Sequence, residues 1–133
     1  AVIPLFIKEL LADRSPIING TGDSSRDFTF VEDVVQANLL AMFTDKANAI
    51  NQVYNIAKGE QTTLNELFDI LKDISGKTIK AIHGPEGGGD IKHSLGDVSK
   101  ARRLLGYDPA TSPTEGLRKT FDWYKKNSLI FAA

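Results

Sequence analysis

The sequence predicts a small mixed α/β domain of about five helices and three or four short strands, lacking the regular βαβ alternation of a doubly wound sheet. Three observations carry that expectation. Apolar residues recur at the 3.6-residue helical period in several segments, most of them bounded by cap or stop residues. The extended stretches between them are short. A length of 133 residues with 41 % apolar content supports one core, not two.

The first helix is expected over residues 3–12, with Ile3, Phe6, Ile7, Leu10 and Leu11 on one face. Pro4 suits its first turn, and Arg14-Ser15-Pro16 ends it. No Ser, Thr, Asp or Asn precedes Pro4 to cap that turn, and Ala1 is not a methionine. An entrance without a cap suggests a chain cut from something longer.

Pro16-Ile17-Ile18-Asn19-Gly20 reads as a short extended piece running into a turn and the polar loop Gly20 to Ser25, and Phe28-Thr29-Phe30 as a brief strand. The second helix places Val31, Val34, Val35, Leu39, Met42 and Phe43 on an apolar face opposite Glu32, Asp33 and Gln36. Val53-Tyr54-Asn55-Ile56 reads as a strand closed by Lys58-Gly59. Thr63-Leu64-Asn65-Glu66 is a capping-box pattern ahead of Leu67, Phe68 and Leu71, and Gly76 stops that helix. Lys77 to Ile82 is expected as a strand, and residues 83–96 as glycine-rich loop. Asp97 caps a short helix that Gly106 ends. Ser112-Pro113-Thr114-Glu115 opens the last helix, with Leu117, Phe121 and Tyr124 on its buried face.

Composition narrows the chemistry. Sixteen basic and seventeen acidic residues leave a net charge of −1, which argues against nucleic acid as a polymeric partner. The absence of cysteine removes disulfides, thiolate metal sites and a cysteine nucleophile. No apolar run approaches the roughly 18 residues of a membrane span. No signal segment opens the chain, so the cytoplasm is the expected location and a membrane is not an expected partner.

Several motifs reduce to simpler readings. Tyr54 and Lys58 have the Tyr-x-x-x-Lys spacing of a dehydrogenase acid/base pair, but that pair needs one helical face, and here the tyrosine sits in a β-type run. Gly20-x-Gly22 and Gly87-Gly88-Gly89 lack the strand–turn–helix context of a dinucleotide loop, so no cofactor site is expected on this chain. His83 and His93 have no ligand spacing for a metal, and Ser24 and Ser25 have no activating neighbour. Arg26 stands on a loop rim, where its guanidinium suits either a diphosphate or a local carboxylate. Asp90 suits either sugar hydroxyls or a turn.

Together these segments resemble the C-terminal part of the extended short-chain dehydrogenase/reductase proteins. The motifs are Ala1-Val2-Ile3-Pro4, Ile18-Asn19-Gly20, Ser25-Arg26-Asp27-Phe28-Thr29-Phe30-Val31-Glu32-Asp33-Val34, Val53-Tyr54-Asn55-Ile56-Ala57, Thr62-Thr63-Leu64-Asn65-Glu66-Leu67 and Gly89-Asp90-Ile91-Lys92-His93-Ser94-Leu95. Asp97-Val98-Ser99-Lys100-Ala101 and Leu104-Leu105-Gly106-Tyr107 complete the series, which covers nearly the whole chain. Within the nucleotide-sugar epimerase/dehydratase group, the branch most similar is the UDP-N-acetylglucosamine 4-epimerases.

The resemblance implies a two-lobed, homodimeric enzyme. An N-terminal Rossmann lobe would hold NAD, the catalytic residues and the dimer helices, and a smaller C-terminal lobe would bind the nucleotide. Residues 1–133 would be that second lobe, without catalytic residues or cofactor of its own. The substrate implied is UDP-GlcNAc/UDP-GalNAc or UDP-Glc/UDP-Gal, epimerised at C4 through a 4-keto intermediate. The related alternatives are a nucleotide-sugar dehydratase or a UDP-glucuronate decarboxylase, and a stand-alone interaction module is the alternative outside enzymes. By motif position, Ala1 and Val2 match the segment approaching the uridine and diphosphate, and Ile17 and Asn19 match positions flanking the uracil. Arg26 matches the diphosphate-binding arginine and Asp90 the acid on the ribose. One departure stands out: where the family commonly places a second phosphate-binding arginine, this chain has Gly87.

Overall fold

The computed structural model describes residues 1–86, 88 and 91–127, which hold five helices and four short strands. In chain order these are α1 (Val2–Leu11), β1 (Ile17–Asn19), β2 (Ser25–Arg26), α2 (Val31–Phe43), β3 (Thr62–Thr63), α3 (Leu64–Ser75), β4 (Ile82–Gly84), α4 (Ser99–Leu105) and α5 (Pro113–Lys126). The strands form two two-stranded sheets, β1 with β4 and β2 with β3. Chain length predicted one core, but the residues gather into two compact units, each assembled from separated stretches. One comprises Ala1–Ser25, Thr63–Lys92 and Thr114–Ala133, the other Arg26–Thr62 and His93–Pro113.

In the first unit α1 packs on α3. Phe6, Ile7 and Leu10 of α1 and Leu67, Phe68 and Leu71 of α3 are buried, and the Phe6 and Phe68 rings meet edge to face at 6.1 Å. The sequence defines both ends of α3. The Thr63 hydroxyl accepts from the Glu66 N–H (3.1 Å), and the Thr63 N–H donates to the Glu66 carboxylate (2.8 Å). Gly76 closes the helix at φ 68°, a left-handed conformation that glycine adopts without cost. α1 has no side-chain cap at Ala1. α5 buries Leu117 and Phe121, while Tyr124 is half-buried.

Beside these helices β1 and β4 run parallel, pairing Ile17 with Ile82, Ile18 with His83 and Asn19 with Gly84. Ile18 points into the core, and Ile17 and Asn19 point out. The expected strand over 77–82 forms its ladder only at Ile82–Gly84. Its partner is short because Pro16 precedes it. The Pro16 carbonyl still accepts from Ile82 N–H at 2.9 Å, but proline has no N–H to extend the pairing.

The second unit is built on Ala37, Ala57, Val98, Ala101 and Tyr107, with Leu40, Tyr54 and Ile56 packed against them. Here the expected strand over 28–30 does not form, and the short strand lies earlier, at Ser25–Arg26. Lys58 N–H, which a ladder would send to a main-chain carbonyl, goes to the side chains of Asp27 (3.0 Å) and Thr29 (3.1 Å). Residues 53–56 keep a strand-like alternation, Tyr54 and Ile56 inward and Val53 and Asn55 outward, but have no ladder partner among the described residues.

Helix α2 has the predicted bounds but not the predicted burial. Its buried residues are Asp33 and Ala37, whereas Val31, Val35, Leu39, Met42 and Phe43 are 63 %, 51 %, 48 %, 70 % and 76 % exposed. The side of α2 that packs in this unit carries Asp33, Ala37 and Leu40, with Ala37 in the cluster beside Ala57, Ala101 and Tyr107. Asp33 is held on that side through Oδ1, which accepts from the Thr111 N–H and hydroxyl at 3.3 and 3.2 Å.

Candidate functional site

In the first unit the loop Gly20–Ser24 is fastened to the start of α3. Asn65 donates its main-chain N–H to the Gly22 carbonyl (3.1 Å) and its side-chain amide to the Thr21 carbonyl (2.9 Å). Leu64 N–H reaches the Ser24 carbonyl at 3.0 Å. Gly20 and Gly22 both have positive φ, 66° and 80°, and a side chain on Gly22 would collide with Asn65. The two glycines serve a tight turn against a helix.

Ala1 and Val2 stand at the entrance of α1, Ala1 exposed and Val2 half-buried. Ile17 and Asn19 share the outer face of β1, one step apart in the pleat, so the fold brings these two candidates together. Ser25 N–H donates to the Lys92 carbonyl at 2.9 Å. The residue before Arg26 is therefore tied to a residue two places beyond Asp90. Asp90 itself, like Gly87, lies outside the described residues.

Arg26 ends β2 and is half-buried in the second unit. The next residue anchors the surrounding backbone. The Asp27 carboxylate accepts from the N–H groups of Lys58 (3.0 Å), Gly59 (2.9 Å) and Gly96 (3.1 Å). Sequence reasoning treated Asp27 only as Arg26's neighbour. Its partners lie 31 to 69 residues away, and no local spacing points to them.

Both side chains of the Tyr-x-x-x-Lys spacing bond to main-chain carbonyls. Tyr54 donates its hydroxyl to the Ala49 carbonyl (2.8 Å), and Lys58 donates its ammonium to the Pro109 carbonyl (2.6 Å). Tyr107 donates to the Ala57 carbonyl at 2.9 Å. Burial, reinforced by the charges of Asp33 and Asp27, pushes its phenol above the usual tyrosine range, so it remains a donor. His83 Nδ1 lies 2.8 Å from the Gly20 carbonyl and braces the loop.

Comparison with known proteins fits this arrangement. The family model for GDP-mannose 4,6 dehydratase matches residues 1–120. A putative UDP-glucose 4-epimerase of Methanocaldococcus jannaschii is 39 % identical over 127 residues, covering 96 % of this chain and 40 % of that protein. The UDP-N-acetylglucosamine 4-epimerase of Methanobrevibacter ruminantium, solved with UDP-N-acetylmuramic acid, superposes with TM-score 0.86 at 38 % identity over 96 % of this chain and 40 % of its own. The UDP-glucuronic acid 4-epimerase of Bacillus cereus, solved with UDP-glucuronic acid and NAD, superposes with TM-score 0.87 at 33 % identity over the same shares. The chain spans about two-fifths of the length of these relatives. A family match over most of the chain, ordered motifs and a shared fold agree: the chain belongs to the GDP-mannose 4,6-dehydratase family of nucleotide-sugar epimerases and dehydratases, within the extended short-chain dehydrogenase/reductases.

Proposed function

We propose that residues 1–133 are the substrate-binding lobe of an NAD-dependent UDP-sugar 4-epimerase that acts on UDP-GlcNAc/UDP-GalNAc or UDP-Glc/UDP-Gal. The observation that carries the lobe reading is the exposed apolar face of α2, from Val31 to Phe43. An apolar stripe of that extent marks a surface that another body covers. The portion of the relatives beyond this chain's match is the body we assign to it, and the Bacillus cereus relative is an enzyme solved with both UDP-glucuronic acid and NAD.

In this reading Arg26 holds the diphosphate through charge-assisted hydrogen bonds, and Asp90 accepts from the ribose hydroxyls. Ile17 and Asn19 flank the uracil from the outer face of β1, with Ala1 and Val2 close to the uridine and diphosphate. NAD and the hydride-transferring residues belong to the remainder of the enzyme. Gly87 leaves one phosphate clamp fewer than the family commonly has.

The test is calorimetric titration of the chain with UDP and with NAD. UDP is expected to bind weakly, and Arg26→Ala to weaken it by a further ten- to hundredfold, the value of one charge-assisted bond. Equal UDP affinity in the two proteins would remove Arg26 from the site. NAD binding or epimerase turnover by the chain alone would overturn the lobe reading. A second reading, the same lobe in a nucleotide-sugar dehydratase or decarboxylase, has the family model's dehydratase description in its favour. Product analysis of the enzyme containing both lobes separates the two.

A further inference from the structure

Three main-chain N–H groups from two segments far apart in sequence converge on the Asp27 carboxylate. Lys58 reaches Oδ1, and Gly59 and Gly96 reach Oδ2. The geometry around these bonds leaves little slack. A Cβ on Gly96 would sit 2.5 Å from the Ala57 Cβ and 3.4 Å from Asp27 Oδ2, so the backbone at 96 approaches as only glycine can. Gly59 is held at φ 79°, which directs its N–H to the same oxygen as Gly96. Thr29 shares the Lys58 N–H at 3.1 Å and fixes the backbone on the far side of Asp27.

A surface aspartate that merely decorates a turn does not gather three amides. We propose that Asp27 is a positioning residue for nucleotide-sugar binding: by clamping the Lys58–Gly59 and Gly96 backbones it fixes the main chain at Arg26 and so the direction in which the guanidinium meets a diphosphate. The proposal rests on the assignment of Arg26 to the diphosphate. A carboxylate is required because it offers acceptors on both oxygens. An asparagine offers one, and turns an amide donor toward an N–H.

A double-mutant cycle read with UDP tests this on the 133-residue chain. Asp27→Asn is expected to lower UDP affinity about tenfold, and to lower it no further when Arg26 is already alanine. A merely structural role would weaken binding by the same factor in both backgrounds, and that result overturns the proposal, as does wild-type affinity in Asp27→Asn. Wild-type affinity in Arg26→Ala instead overturns the diphosphate assignment beneath it. If circular dichroism finds Asp27→Asn unfolded, Gly96→Ala decides in its place. It disturbs one of the three bonds, and a loss of UDP affinity that vanishes in the Arg26→Ala background supports the clamp, while unchanged affinity overturns it.

Discussion

Helices α2 and α3 have similar lengths and both carry apolar residues at helical spacing, in α3 gathered on one side and in α2 spread more widely, and they end in opposite circumstances. α3 sets Leu67, Phe68 and Leu71 against α1 and buries them almost completely. α2 turns Asp33 and Ala37 inward and leaves Met42 and Phe43 in solvent. The period tells that a helix has an apolar face and which residues form it. It does not tell whether the cover for that face lies in the same chain. α3 is stabilised by what this chain contains, whereas α2's stripe lies exposed in it, and the lobe proposal assigns that stripe a cover outside the chain.

The sharpest way to break this comparison is to truncate both stripes. Leu71→Ala in α3 should cost about 2–5 kcal/mol of unfolding free energy, because it removes a fully buried side chain from a packed site. Denaturant titration measures it, and a cost under about 1 kcal/mol would mean that α3 is no better covered than α2. Tyr107→Phe examines the side of the second unit that α2 does bury. It should cost about 1 kcal/mol, since the Ala57 carbonyl loses its partner while the ring packing stays.

Thr63→Ala should destabilise α3 by about 1 kcal/mol at neutral pH through loss of the capping box. This difference depends on pH in a defined direction. The hydrogen bonds from Thr63, main-chain first and hydroxyl second, hold the Glu66 carboxyl below the ordinary glutamate range. A depressed folded value contributes stability above the unfolded pKa of about 4.3 and loses it as pH falls through the folded value. Alanine keeps the main-chain N–H and loses only the hydroxyl, so thermal unfolding should show the gap between wild type and Thr63→Ala narrowing below that pH by the hydroxyl's share alone. The smallest effect belongs to α2. Met42→Ser or Phe43→Ser should change the stability of this chain by no more than about 0.5 kcal/mol, while reducing any concentration-dependent association seen by analytical ultracentrifugation. A loss comparable to that of Leu71→Ala would show that the stripe is used within the chain.

All five helices were legible because their signals are local: period, caps, and the glycines at 76 and 106 that take left-handed φ. The short strands were less so. Whether Phe28–Phe30 or Val53–Ile56 enters a ladder depends on the backbone opposite, and in the first case the side chains of Asp27 and Thr29 take the available N–H. Arg26, Ile17 and Asn19 are assigned to the candidate site by motif position alone, and the structure adds that Ile17 and Asn19 share the outer face of β1. Asp27 was invisible in its role, because three amides meet it only after Lys58, Gly59 and Gly96 have been folded around it.

By itself the sequence determined the helices, their stops, the loop glycines and the family, since each rests on residues adjacent in the chain or on ordered motifs. The tertiary structure decided the rest: the division into two compact units, the face by which α2 packs, and the carboxylate that anchors the backbone at Arg26. These depend on packing density and on hydrogen bonds between distant residues, and such contacts exist only once the chain has closed on itself.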